Sequence, residues 1–161
     1  MVLARRHGKH KLNEKLGHLL LGVVTLFMIV SLGSLIHALP NHKQSPQELL
    51  RSAAALWVAN ILVFASWYWR LDAGGPHQRE IRGAHTDGAF LFPQMTLDDN
   101  EESQWTPGFV DYLFLAFNTS TAFSPTDAPV LSRWAKGLMM IQASISFTTV
   151  ALIAARGVNI L

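Results

Sequence analysis

Residues 111–127 have the sequence DYLFLAFNTSTAFSPTD, and residues 138–155 have the sequence LMMIQASISFTTVALIAA. The second stretch carries no charge, and as a helix it nearly spans the roughly 30 Å hydrocarbon layer of a bilayer. The first stretch is more polar and belongs to a predicted helix of residues 109–123, which is shorter than a crossing. Together they predict a short helix, a polar turn and a full transmembrane helix.

Two further apolar runs lie nearer the N terminus. Residues 19–39 contain no Asp, Glu, Lys or Arg, and residues 50–69 are interrupted only by Arg51. Apolar residues gathered in this way differ from the amphipathic stripes of a soluble protein. Because a backbone in lipid must satisfy its own hydrogen bonds, the runs indicate helices. We predict an all-α membrane protein with three long transmembrane helices and one short helix.

The distribution of charge divides the chain into four segments. These are a basic lead (1–16), a two-helix transmembrane hairpin (17–70), an acidic polar connection (71–107), and the short helix, polar turn and last transmembrane helix (108–161). The cations of the lead predict a cytoplasmic N terminus, since cytoplasmic segments beside a span are rich in Lys and Arg. We therefore predict a multi-pass protein of the inner (plasma) membrane. Charge counting leaves open whether residues 109–127 cross the membrane or re-enter it, and with that the side of the C terminus.

Local signals mark helix starts and one buried contact. Ser45, followed by Pro46 and Glu48, predicts a capping box at the start of the second span. Asp111 lies in the first turn of the short helix, where a carboxylate favours the positive end of the helix dipole. Asn60, in the middle of the second apolar run, is predicted to hydrogen-bond to a neighbouring helix.

The connection of residues 71–107 is predicted to be solvated, because its carboxylates outnumber its cations. Its apolar island, residues 90–93 (FLFP), is expected to return to the membrane surface or to the helix bundle. Several histidines share no spacing typical of helical metal ligands: His37, His42, His77 and His85. We predict no metal site and no cofactor.

The sequence argues against several function classes. It has no cysteine, no nucleophile elbow, no phosphate-binding glycine loop and no HExxH pair, so we predict that it is not an enzyme. The net charge is only +2, and its cations gather beside a span, which is typical of a membrane anchor and not of a nucleic-acid arm. The predicted partner is the lipid bilayer.

From Phe117 onward the chain resembles the pore half of two-helix potassium channels. In that family a pore helix ends in TxTTVGYGD, and a WGR-like turn precedes the inner helix. Thr119, Thr121 and Asp127 match without gaps, and residues 134–136 (WAK) fall where the turn would be. The resemblance covers residues 111–156 and implies a short helix of the pore-helix type. It implies ten filter-like positions: Asn118, Thr119, Ser120, Thr121, Ala122, Phe123, Ser124, Pro125, Thr126 and Asp127.

The filter-like segment departs from the channel pattern at its central positions. Ser124 and Thr126 stand where the channels have glycine, and Pro125 between them fixes its own φ. A potassium filter aims successive backbone carbonyls at the ion, which these residues resist. Any conduction is therefore predicted to discriminate weakly among monovalent cations.

The same region is also similar to an uncharacterised family of bacterial polytopic inner-membrane proteins. The similarity lies in residues 92–93 (FP), 111–113 (DYL), 124–127 (SPTD) and 146–150 (SFTTV). It implies the class of protein and no particular activity.

Two main hypotheses follow for function. The first is an oligomeric, weakly selective pore for cations or small solutes, a homo-oligomer because one chain has too few helices to enclose a path. The second is a non-conducting membrane scaffold or assembly protein, in which the same polar residues join helices. Transport by alternating access is a third alternative. A face of small residues on the last helix is expected to pack against another helix, in the same chain or a neighbour: Ser144, Thr148, Ala151 and Ala155.

Overall fold

The computed structural model describes residues 2–38, 45–83, 85, 87–97, 105–121 and 128–157. Its helices are α1 (Val2–Ala38), α2 (Pro46–Leu71), α3 (Pro76–Arg82), α4 (Gln94–Leu97), α5 (Phe109–Thr121) and α6 (Arg133–Gly157), with a 3₁₀ turn at Asp72–Gly74. Within these ranges the only β-type pairing is an isolated bridge between Phe90 and Val130. The predicted all-α fold class is confirmed.

Three helical stretches are long and apolar enough to cross a membrane, by length and composition. They are Leu12–Ala38, Gln47–Arg82 and Arg133–Ala155. Large apolar side chains such as Leu20, Phe27 and Phe147 are exposed along them, as lipid-facing helices require. The protein is therefore an α-helical membrane protein, and the three long helices predicted from the sequence are confirmed.

α2 is the central helix of the bundle and contacts α1, α5 and α6. It begins with the predicted capping box: Ser45 Oγ accepts from the N–H of Glu48 at 3.3 Å, and the Glu48 carboxylate accepts from the N–H of Ser45 at 3.2 Å. Its inward face buries Phe64, Ala65 and Tyr68 completely or nearly so. Every polar cluster described below uses at least one residue of α2 or of the turn that follows it.

The segment containing α5 enters and leaves the bundle at the same end of α2. α5 has 13 residues, which make about 20 Å of helix, less than the roughly 30 Å hydrocarbon layer. Near its start, Tyr112 hydrogen-bonds to Asp72 just beyond α2. After it, the N–H of Leu131 donates to the carbonyl of Ala89 at 2.8 Å. Ala89 in turn donates its own N–H to Asp72. Tyr112 and Leu131 are thus both linked to the Asp72–Ala89 end of the bundle.

Part of the connection between α2 and α5 is packed and not solvated, so that prediction is wrong for Asp72 and Arg79. Asp72 is 0% and Arg79 5% exposed. The apolar island does return to the bundle as expected, since Phe90 and Phe92 are buried beside Tyr112, with ring centroids 6.2 and 5.4 Å from it. The four carboxylates between residues 98 and 102 lie outside the described residues. Composition misled because it does not distinguish these two buried charges from exposed ones such as Glu80, Arg82 and Asp87.

A tight turn after Asp72 folds the chain back onto the end of α2. Ala73, Gly74 and Gly75 all have positive φ, at +47°, +79° and +87°. A Cβ at Gly75 would lie 2.7 Å from the carbonyl oxygen of Arg70, so only glycine fits there. Ala73 adopts the left-handed region without being glycine, which costs about 1–2 kcal/mol. The turn brings α3 back toward α2 and the Asp72 side chain into the protein.

Candidate functional site

The carboxylate of Asp72 is the centre of a buried polar cluster at the end of α2. Its Oδ2 accepts from the hydroxyl of Tyr112 at 2.6 Å, and its Oδ1 accepts from the N–H of Ala89 at 2.5 Å. His85 Nε2 lies 2.7 Å from Oδ2, a distance at which an Nε2–H donates to the carboxylate. The three partners come from α5 and from two points of the connecting loop. The Asp72 carboxylate thus bonds to residues that lie 13 to 40 positions further along the chain.

Arg79 completes the cluster from the other side, without an ion pair to the Asp72 side chain. Its Nη1 donates to the carbonyl oxygens of Trp69 at 3.0 Å and Asp72 at 2.7 Å. The last carbonyls of a helix lack partners within the helix, so this guanidinium caps the C-terminal end of α2. Its Cζ also lies 5.3 Å from the centroid of the Tyr112 ring, a cation–π distance. We call Asp72, Arg79, His85 and Tyr112 the Asp72 cluster.

His85 can approach Asp72 because residue 88 has no side chain. The His85 ring occupies the place where a Cβ on Gly88 would lie. With its side chain 3% exposed, His85 forms an ion pair with Asp72 when protonated and a neutral hydrogen bond otherwise. A carboxylate, an imidazole and a phenol within hydrogen-bonding distance can exchange protons, and they can also hold the loop in place.

A second polar cluster lies deeper, where α2, α5 and α6 meet. The Gln142 side chain, fully buried, accepts from the hydroxyl of Tyr68 at 2.5 Å. Its Nε2 donates to the carbonyl of Ala116 at 2.7 Å and to Ser120 Oγ at 2.8 Å. Ser146 Oγ donates to the carbonyl of Ser120 at 2.7 Å. Both N–H donors and the carbonyl oxygen of this glutamine thus bond to other helices.

Asn60 is a second α2 residue in the same cluster, and it confirms the predicted contact with a neighbouring helix. Its Nδ2 donates to the backbone carbonyl of Gln142 at 3.2 Å. Its Oδ1 is buried and accepts no hydrogen bond from the described residues. We call Asn60, Tyr68, Ser120, Gln142 and Ser146 the Gln142 cluster. It contains amides and hydroxyls but no formal charge, as the interior of a membrane favours.

The first four filter-like residues lie in the last turns of α5 and differ in their surroundings. Ser120 faces α6 within the Gln142 cluster and is 7% exposed. The hydroxyls of Thr119 and Thr121 donate to carbonyls of their own helix, those of Leu115 at 2.8 Å and Phe117 at 2.9 Å. Asn118 is half-buried. The other six positions lie outside the described residues: Ala122, Phe123, Ser124, Pro125, Thr126 and Asp127.

Asn118 and Asp111 share an open cavity of about 170 Å³ beside α5. They are seven residues apart, two helical turns, and so lie on the same face. Gln94, Phe114 and Ala128 also line the cavity. As predicted, Asp111 stabilises the helix start, since its Oδ2 accepts from the N–H of Gly108 at 2.7 Å. The cavity therefore combines one carboxylate with two amides along one face of α5.

The predicted small-residue face of α6 is directed away from its own bundle. Ser144, Ala151 and Ala155 are exposed and Thr148 is half-buried. The hydroxyls of Ser144 and Thr148 donate to carbonyls of α6 itself, those of Met140 and Ser144, each at 2.9 Å. The face of α6 that packs within the chain is instead that of Ala135, Gln142 and Thr149. Packing of the small-residue face on a neighbouring chain stays a prediction.

Sequence reasoning missed the centres of both clusters. Gln142 carried a usable signal, because a glutamine in the middle of an apolar span needs a partner. Asp72, His85 and Tyr112 carried none, because no spacing links them and the turn at residues 73–75 brings them together. Among the described residues no three His, Cys, Asp or Glu side chains are grouped as metal ligands.

The fold and its polar clusters define the class, an α-helical membrane protein with three long helices and one short helix packed against them. Comparison of the chain with protein-family models, curated proteins and solved structures gave no match.

Proposed function

We propose that the protein is an oligomeric, weakly selective pore for cations or small solutes, with its N terminus in the cytoplasm and its helices in the inner (plasma) membrane. The observation that carries the proposal is the path of the chain around α5. Tyr112 and Leu131 are both linked to the Asp72–Ala89 end of the bundle, although a 13-residue helix separates them. A short helix that enters a membrane and returns is the plan of a pore loop.

The physics of the bilayer supports assembly into an oligomer. Re-entrant segments are tolerated at membrane depth only where they are buried in protein or line a water-filled cavity. In the single chain the outer face of α5 is open: Val110 is 72%, Phe114 58% and Phe117 45% exposed. Lipid or a second copy can cover these apolar side chains. The segment that follows α5 has a proline and three hydroxyl or acidic residues, and it requires protein or water around it.

The solute path that we propose does not use the threonine and serine hydroxyls of residues 119–121. Ser120 is engaged by Gln142 and Ser146, and Thr119 and Thr121 bond to their own helix. The cavity beside α5 is lined instead by Asn118 and by Asp111, whose Oδ2 also accepts from the N–H of Gly108. We propose that this cavity forms the vestibule of the path. The Asp111 carboxylate biases the path towards cations.

The test is a recording from the purified protein in planar bilayers, with potassium on one side and sodium on the other. We expect a current whose reversal potential lies well away from that of a perfect potassium electrode. Asp111→Asn should lower the preference for cations over chloride, because it removes the carboxylate of the vestibule. Ser120→Val is the matched control on the same helix, since it should alter stability and leave the ion preference unchanged. Absence of current from folded, oligomeric protein contradicts the proposal.

The proposed membrane orientation has its own test. Single cysteines at Gly8 and Asn100 are informative because the chain has none of its own. An impermeant thiol reagent added to intact cells should label neither position. Labelling of either from outside contradicts the cytoplasmic placement of the N terminus and of residues 71–107.

A non-conducting scaffold or assembly protein is the second candidate, and one observation favours it. The hydroxyls of residues 119–121 are used inside the chain, as expected where polar side chains only join helices. In this case the purified protein carries no current, while a photo-crosslinker at Phe117 captures another membrane protein. A crosslink to a second copy, together with current, favours the pore.

A further inference from the structure

An open cavity of about 100 Å³ lies between the polar beginning of the first span and the end of α2. Its walls carry Glu14 and His18 from α1, Arg70 from α2, and Gly75 and His77 from the turn and α3. We propose that this cavity binds the phosphate group of a phospholipid, with Arg70 and His18 as its ligands. The inference does not depend on whether the protein conducts.

Arg70 presents unused hydrogen-bond donors at this cavity. Among the described residues it forms no ion pair within 4.0 Å, and its guanidinium donates no hydrogen bond to a protein acceptor. Its Cζ lies 5.9 Å from the centroid of the Trp69 ring, which holds the group without using its N–H donors. Guanidinium binds phosphate oxygens in pairs and is favoured wherever phosphate is recognised.

Gly17 allows this position of Arg70. A Cβ at residue 17 would lie within 2.8 Å of Arg70 Cζ, so any larger residue there would displace the guanidinium. The close approach keeps the Arg70 side chain against α1 and beside His18. Arg70 is half-buried and held by its neighbours, but it has no anionic partner, and such an arginine is suited to bind an external anion.

His18 supplies a second unpartnered group. Its ring stacks on Trp67, with centroids 6.0 Å apart and planes 18° from parallel. Its Nε2 is buried and has no hydrogen-bond partner among the described residues. Trp67 is fixed in turn, because its indole Nε1 donates to Thr25 Oγ1 at 3.0 Å. The stack therefore holds the imidazole at the cavity wall, with one ring nitrogen that has no partner among the described residues.

The depth of the cavity identifies the source of the phosphate as lipid. The apolar part of α1 begins at Leu19, directly after His18, and α2 ends in Trp67, Tyr68 and Trp69. Tryptophan and tyrosine gather where the headgroups lie, and charged residues begin at the same level. Glu14 on the cavity wall would repel a bare anion but attract an ammonium. A headgroup with a phosphate and an amine, such as phosphoethanolamine, offers the phosphate to Arg70 and His18 and the ammonium to Glu14.

Native mass spectrometry of the detergent-solubilised full chain tests the proposal with three probes: phosphatidylethanolamine, the matching diacylglycerol and inorganic phosphate. We expect adducts with phosphatidylethanolamine, none with diacylglycerol, and no displacement by inorganic phosphate. Arg70→Gln should weaken lipid binding by about tenfold, the loss of one charge-assisted pair. His18→Phe keeps the stack on Trp67 but lacks Nε2, and this variant should weaken lipid binding several-fold.

Arg51→Gln is the control, because Arg51 is an exposed arginine at the opposite end of the same helix. Equal loss from Arg51→Gln and Arg70→Gln means non-specific attraction and overturns the proposal. Diacylglycerol binding as strong as that of the phospholipid overturns it as well, and full displacement by inorganic phosphate rejects lipid as the source. If Arg70→Gln fails to fold by circular dichroism, His18→Phe decides, and unchanged lipid binding by that variant contradicts the assignment.

Discussion

The two polar clusters hold different parts of the molecule together with different chemistry. The Asp72 cluster contains a carboxylate, an imidazole and a guanidinium, and lies just beyond the end of α2. The Gln142 cluster contains only amides and hydroxyls and lies along the middle of the helices. Charge is expensive at the centre of a bilayer and cheaper near its surface. The comparison indicates that membrane depth decides which polar groups each cluster uses.

The clusters also differ in how much of the chain each one holds in place. The Gln142 cluster joins helices that already pack along their lengths, so its bonds add to an existing contact. The Asp72 cluster joins a turn, a loop and the first turn of α5, and its hydrogen bonds hold Ala89 and Tyr112, beside which Phe90 and Phe92 are buried. Loss of Asp72 should therefore release more structure than loss of Gln142. Four substitutions, taken from the largest expected effect to the smallest, test this difference.

Asp72→Ala should have the largest effect. It leaves the Tyr112 hydroxyl, the Ala89 N–H and His85 buried without their acceptor, and breaking such a network typically costs about 3–5 kcal/mol. Thermal unfolding in nanodiscs measures the loss. Glu80→Ala, an exposed carboxylate on α3, should change stability by less than about 0.5 kcal/mol. Equal small effects from both would contradict the central role of Asp72.

Gln142→Leu should cost less, about 2–3 kcal/mol, because the groups left unpaired are neutral. They are the Tyr68 hydroxyl, the Ala116 carbonyl and Ser120 Oγ. Ser144→Ala on the exposed face of the same helix is the control and should be nearly neutral. A greater loss from Gln142→Leu than from Asp72→Ala, measured in the same nanodiscs, reverses the order that the two clusters predict.

Gly88→Ala separates His85 from the rest of the Asp72 cluster. The new methyl group displaces the imidazole ring, and overpacking of this kind costs about 1–2 kcal/mol. Gly22→Ala has open space around its Cβ and should be neutral or slightly stabilising. The nitrogen chemical shifts of His85 provide a second readout, since they report on its hydrogen bond to Asp72. Unchanged shifts would show that the loop adapts around the methyl group.

Asn60→Leu should have the smallest effect, near the average of about 0.6 kcal/mol for a polar contact between membrane helices. It removes one bond of 3.2 Å, but it also removes a buried oxygen that has no partner among the described residues. Chemical denaturation in mixed micelles resolves a difference of this size. A loss comparable with that of Gln142→Leu would mean that Oδ1 is bonded in the membrane, for example to a water molecule.

The sequence was informative where structure follows from local pattern. Charge-free runs predicted the three long helices, Ser45 and Glu48 predicted the cap of α2, and Asn60 predicted a contact between helices. It was uninformative about the Asp72 cluster, because that cluster depends on a turn at Ala73 that the residue type does not favour. It also left open whether the α5 segment crosses the membrane or re-enters it, since charge counting cannot distinguish a crossing from a return.

α1 is one unbroken helix of 37 residues, about 55 Å long, whereas the hydrocarbon layer is roughly 30 Å thick. Because α1 is unbroken, it tilts as one unit about the point where it meets the membrane surface. Its residues before Leu12, about 15 Å of helix, extend beyond the apolar span. A change in tilt of about 10°, well within the range open to transmembrane helices, would move their far end by about 3 Å. Changes in bilayer thickness would thereby become displacements of a positively charged arm in the aqueous phase.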